Sequence, residues 1–112
     1  MEMVQVEEKE QFVLDLGMHR RGELSESVLT QMGAKIKFMI SAMFGGSPIN
    51  AMLRGNRREI KSFTDTITKE KKYMDAYMRY GLDNPKTHRS RYALQSAIAK
   101  FERATKLKWP FK

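Results

Sequence analysis

With 112 residues, no cysteine and a formal charge of +8, the chain has room for one domain with a modest core and none for a disulfide framework or a thiolate metal site. The charge is uneven: residues 1–53 hold 5 Lys+Arg against 7 Asp+Glu, giving −2, and residues 54–112 hold 16 against 6, giving +10. A basic half joined to a near-neutral packing half suits a polyanionic partner. The acidic start, Met1 to Glu8, lacks the basic-then-apolar pattern of a signal peptide. The longest apolar-rich stretch, Ile36 to Phe44, falls well short of the roughly 18 residues of a membrane span. A soluble protein of the reducing cytoplasm, away from membranes, is the expectation.

Helical spacing dominates over alternation, so the expected fold class is all-α. Val6 to Leu16 carries Phe12, Val13, Leu14 and Leu16, a run that does not choose between helix and strand before Gly17 stops it. Met18 to Gly22 reads as a loop, and residues 1–24 are expected to be loosely ordered. The second segment opens on Ser25 as N-cap with Glu26 in the first turn, and ends at Gly45-Gly46. Leu29, Met32, Ile36, Met39 and Met43 form its apolar seam, with Gly33 and Ala34 alongside to admit a neighbouring backbone.

The third segment has Ser47 as N-cap, Pro48 at the first helical position and Gly81 beyond its end. Gly45-Gly46-Ser47-Pro48 lacks the glycine spacing and the Lys-Ser/Thr of a phosphate loop, so it is a plain turn between helices. Ile49, Leu53, Asn56, Ile60, Phe63, Ile67, Glu70, Met74 and Tyr77 keep a 4-3 spacing, with Asn56 and Glu70 as polar interruptions. An unbroken helix over 48–80 would span about 50 Å, too long for a compact chain with a radius of gyration near ~13 Å. A break at Gly55-Asn56 is therefore expected, with Asn56 as a new N-cap. The last helix begins near Pro85 and runs to about Lys106, followed by the aromatic tail Leu107, Trp109 and Phe111. Its apolar residues start late, at Tyr92 and Leu94, so its first two turns are expected to project from the core. Together these segments predict one domain over 1–112, a bundle of about four helices around a central antiparallel hairpin of the second and third segments.

Lys86, His88, Arg89 and Arg91 gather in the first turns of the last helix. Cations beside a helix N-terminus oppose the helix dipole, an arrangement that makes sense when an anion completes the site. Arg58, Lys71, Lys72 and Arg79, with Lys61 and Lys69, extend the basic surface. Tyr73 and Tyr80 are interleaved with these cations and suit stacking on unpaired bases, whereas Tyr77 falls on the apolar seam. Asp65 to Lys69 and Asp75 to Arg79 have the i,i+4 spacing of intrahelical ion pairs. Tyr80-Gly81-Leu82 has the flavour of a helix-turn-helix corner. Thr87 and Ser90 stand where that motif's second helix needs apolar residues, so groove-reading of sequence is not expected.

No catalytic constellation emerges. His19 and His88 each adjoin arginine, no metal-ligand spacing occurs, and Glu59, Asp65, Glu70 and Asp75 lie five or six apart, spread around a helix. The expected function is a small non-enzymatic nucleic-acid-binding accessory protein, without cofactor or metal, acting on DNA or RNA through phosphate contacts of low sequence specificity. The alternative is a protein-interaction module, an assembly factor or inhibitor of phage or viral type. It would meet an acidic protein surface and anchor through Met-rich or aromatic residues. A homo-oligomer is the expectation if the third helix is unbroken.

Overall fold

The computed structural model describes residues 12–46 and 51–111. Its element order is β1 (Phe12–Asp15), α1 (Glu26–Phe44), β2 (Ala51–Arg54), α2 (Arg57–Tyr80) and α3 (Pro85–Thr105). The chain is mostly helical, as expected, but a two-stranded parallel sheet replaces the anticipated all-α start. β1 and β2 pair in register from Phe12 opposite Ala51 to Asp15 opposite Arg54, and the Leu16 amide extends the ladder to the Arg54 carbonyl at 2.7 Å. Ala51-Met52-Leu53-Arg54 has little intrinsic strand preference. It is extended because β1 supplies the partner, a long-range cause that helical spacing does not register. Leu14 and Leu16 are fully buried, so the segment read as loosely ordered contributes core residues, with Phe12 packed half-buried against them. Residues 1–11 lie outside the described residues, as do Ser47, Pro48 and Ile49, and with them the predicted third-segment cap and turn.

α1 begins and ends as its sequence predicts. Ser25 Oγ accepts from the Val28 amide and Gly45 caps the end. Met32, Ile36, Met39 and Ile40 carry its buried face, while Met43 is nearly half exposed. Gly33 faces open space rather than a neighbouring backbone. The break at Gly55-Asn56 is present. Asn56 accepts from the Glu59 amide at 2.8 Å, and Glu59 Oε1 accepts from the Asn56 amide at 2.7 Å, a reciprocal capping box.

The expected bundle of about four helices around an antiparallel hairpin of the second and third segments is not what forms: the described residues hold three helices, and α2 packs against α3 rather than α1. Thr66 Oγ1 donates to the Ala97 carbonyl and Thr87 Oγ1 donates to the Ala76 carbonyl, two cross-links whose order fixes opposite directions. The buried face of α2 is Glu59, Phe63, Thr66, Glu70 and Ala76. Phe63 and Glu70 of the predicted seam are buried and Ile60 and Ile67 pack half-buried against the core, whereas Met74 and Tyr77 at its end are exposed. The first turn of α3 does not project, because Thr87 is buried against α2. Helix-turn-helix geometry is absent for a different reason from the one the sequence offered: the two helices run side by side.

The aromatic tail closes the core. Trp109 packs edge-on to Phe63 and Phe101, at ring separations of 5.9 and 5.3 Å, and Leu107 is buried beside it. Lys106 caps α3 in the left-handed conformation, turning the chain back onto the hairpin.

Candidate nucleic-acid interface

Two clefts flank the α2–α3 hairpin, and the expected site residues divide between them. The first, about 610 Å³, is lined by Arg58, Lys61, Ser62, Asp65 and Lys69 of α2 and by Ala93, Ser96, Ala97, Lys100, Arg103 and Ala104 of α3. Alanine and serine on the α3 side keep the groove floor low between the cations. Asp65 is its only acid, and that carboxylate pairs with Lys61 at 3.0 Å rather than with Lys69. Asp75 and Arg79 form no pair. Arg58, Lys69, Lys100 and Arg103 have no carboxylate partner among the described residues. The stripe continues by helical spacing to Lys72 and Arg79 on α2 and to Arg89 and Lys86 on α3.

Arg58, Lys72, Arg79, Lys86 and Arg89 thus share one side of the hairpin, whereas Arg91 and Tyr73 line the other cleft. Lys71 and His88 are exposed and line neither. The cationic turn of residues 86–91 is therefore not one convergent site: a helix advances 100° per residue, and neighbours in sequence point apart. Tyr80 is committed elsewhere than expected. The Lys86 ammonium sits 4.7 Å over its ring, and hydrogen bonding from Arg79 together with the charge of Lys86 lowers its phenol pKa. One face of that ring is occupied, and Tyr73 is half-buried against the core with one side in the second cleft.

The second cleft, about 600 Å³, is lined by Glu70, Tyr73, Leu82, Arg91, Leu94, Gln95, Ile98, Ala99, Glu102 and Phe111. Glu70 is 5 % exposed, and its Oε1 accepts from Trp109 Nε1 at 2.9 Å. Burial raises its pKa, and the indole bond only partly offsets that. Glu102 accepts from the Trp109 amide at 2.8 Å.

A third polar cluster sits where both strands end. Glu59 is buried and takes a two-pronged bond from Arg20, Nε to Oε2 and Nη2 to Oε1, each 3.1 Å. Burial pushes the Glu59 pKa up, but the Arg20 fork and the Asn56 amide outweigh it, so the net shift is downward. Arg21 bridges Asp15 and Glu23. A Cβ at Gly55 would lie 2.9 Å from Glu59 Oε1, so only glycine lets the strand end approach the buried carboxylate this closely. Every charge named here has a partner, which makes the cluster a staple between β2, α2 and the 16–22 loop.

Sequence reading missed Lys100, Arg103 and the Glu70 cleft. The signal for the first pair was present: Lys86, Arg89, Ala93, Ser96, Lys100 and Arg103 recur every three or four residues. Among the described residues, no group of three or more His, Cys, Asp or Glu converges to hold a metal, and no helix is long and apolar enough to cross a membrane. No family model matches the chain, and no curated protein or solved structure matches it significantly.

Proposed function

We propose that this chain is a small non-enzymatic, nucleic-acid-binding accessory protein of the cytoplasm that holds the phosphate backbone in the basic groove between α2 and α3. The observation that carries this reading is the set of four groove cations, Arg58, Lys69, Lys100 and Arg103, left without carboxylates among the described residues. Cations kept unpaired and facing one another across a shallow groove match a line of phosphates better than they serve packing. Arg58 to Lys69 covers about 16 Å of helix at 1.5 Å per residue, comparable with about five base-pair steps. Contacts of this kind carry little sequence information, so low specificity follows.

The test is mobility shift on single- and double-stranded DNA and RNA as a function of salt. About five phosphate contacts give a log–log slope near −4.5 on duplex or −3.5 on single strands. A slope near zero, or no shift at low salt, removes the reading.

A protein partner is the second reading. It rests on Met43, 45 % exposed, in the lining of a small apolar cleft that includes Met39, Leu53 and Ile67. Adaptable methionine surfaces of this kind suit protein contacts, including a second copy of the chain. A monodisperse monomer by light scattering removes the self-associating form.

A further inference from the structure

We propose that the cleft on the opposite flank of the hairpin takes one unpaired nucleotide whose base carries an exocyclic amino group, with Glu70 receiving the base edge and Arg91 the phosphate. This deepens the nucleic-acid reading, on which it rests, by supplying a preference for unpaired strands. The cleft is of ligand size, about 600 Å³. Glu70 lines it while more than nine-tenths buried, and among the described residues only its Oε1 is engaged, by Trp109. Its other oxygen has no hydrogen-bond partner among the described residues. A buried carboxyl left half-satisfied is rare, and a donor supplied by a ligand satisfies it.

The walls narrow the donor's identity. Tyr73 and Phe111 are aromatic and Leu82 is apolar, so they favour a flat ring over a flexible ammonium chain. Arg91, exposed and without a carboxylate partner among the described residues, is also part of the lining. It attracts an anion at its end of the cleft, while the Glu102 carboxylate, also in the lining, is engaged by the Trp109 amide. A flat ring with an N–H edge at one end and a negative group at the other fits these walls, and a nucleotide has both. Cytosine, adenine and guanine present an amino group to an acceptor, as in carboxylate recognition of cytosine N4. Uracil and thymine flank their lone N–H with two carbonyls, which face the Glu70 oxygens unfavourably.

Trp109 is the only tryptophan in the chain and bonds Glu70 directly, so its emission reports on the cleft. Titration of the full chain with cytidine, adenosine, guanosine and uridine 5′-monophosphates is expected to change that emission saturably for the first three. Uridine monophosphate should bind about tenfold more weakly, the equivalent of one unfavourable polar contact. Glu70→Gln keeps the Trp109 bond through its carbonyl but turns an NH₂ into the cleft, so the order should invert toward uridine. Arg91→Gln should weaken the monophosphates and leave the corresponding nucleosides unchanged. Equal response to all four nucleotides, no response at all, or an unaltered order in Glu70→Gln overturns the proposal. Salt-dependent shifts of duplex and single-stranded nucleic acid are run in parallel. Duplex binding beside a silent Trp109 rejects this cleft and leaves the groove standing, and a responsive Trp109 without a salt-dependent shift of either form rejects the groove alone.

Discussion

The strand-end cluster and the α2–α3 groove use the same residue types in opposite circumstances. At the strand ends Arg20 and Arg21 are tied to Glu59, Asp15 and Glu23, and a glycine is required for Glu59 to fit against the chain. In the groove Arg58, Lys69, Lys100 and Arg103 pair with no carboxylate among the described residues. A paired arginine beside a buried acid holds elements together. An unpaired row of cations contributes self-repulsion to the fold, and its use must be sought outside the chain. Counting positive charge treats the two regions alike, whereas asking what each charge touches separates them.

The largest expected effect tests that separation directly. Replacing Arg58, Lys69, Lys100 and Arg103 together with Gln should flatten the salt slope of nucleic-acid binding from about −4 to about −1. Urea and thermal unfolding should show unchanged or slightly higher stability. The converse variant, Arg20→Gln, should lower the melting temperature while leaving the salt slope intact. If the groove variant unfolds, or Arg20→Gln abolishes binding, the division between staple and interface is wrong.

Next in size is the loss of the staple's acid. Glu59→Ala removes half of the capping box and leaves the Asn56 amide without its side-chain acceptor, at a cost of about 2 kcal/mol in unfolding free energy. The dependence on pH has a definite sign. The folded-state pKa of Glu59 lies below its ordinary value of 4.5. Its contribution is therefore present above about pH 4.5 and disappears as pH falls through the folded value. The wild-type-minus-Glu59→Gln stability difference should shrink on acidification, and a difference independent of pH would contradict the fork.

How much of this was legible beforehand depended on the range of the interaction. Ser25, Asn56, Pro85 and Gly81 act within a few residues, and the helix boundaries they set could be read from the chain. β2 could not, because Ala51 to Arg54 becomes a strand only against β1, about forty residues away. The hairpin partner was misassigned because the apolar count favoured α1, while Thr66 and Thr87, polar by inspection, make the cross-helix bonds. The basic character of the second half was legible, but its geometry was not. Residues 86–91 are contiguous in sequence and split across two flanks in space. Glu70 looked like an interruption of a seam, and only the Trp109 indole, arriving from the tail, shows it to be the floor of a cleft.

The smallest effect sharpens the contrast between the two buried glutamates of α2. Glu59 and Glu70 are eleven residues apart and share a face, but one carboxylate is fully engaged and the other is held by a single indole. Burial places the Glu70 pKa above 4.5, so its ionised form is disfavoured in the folded chain. The fold therefore loses stability as pH rises from about 4.5 toward the folded value, and the loss is absent below that window. Glu70→Gln retains the acceptor for Trp109 Nε1 and cannot ionise. It should equal or exceed the wild type in melting temperature at pH 7 and merge with it near pH 4. Glu70→Ala, which strands the indole N–H in the core, should instead cost about 1–3 kcal/mol at both pH values. A Gln variant destabilised at pH 7 would mean that the carboxylate is stabilised by something other than Trp109. The cleft would then hold a satisfied charge, not an acceptor awaiting a donor.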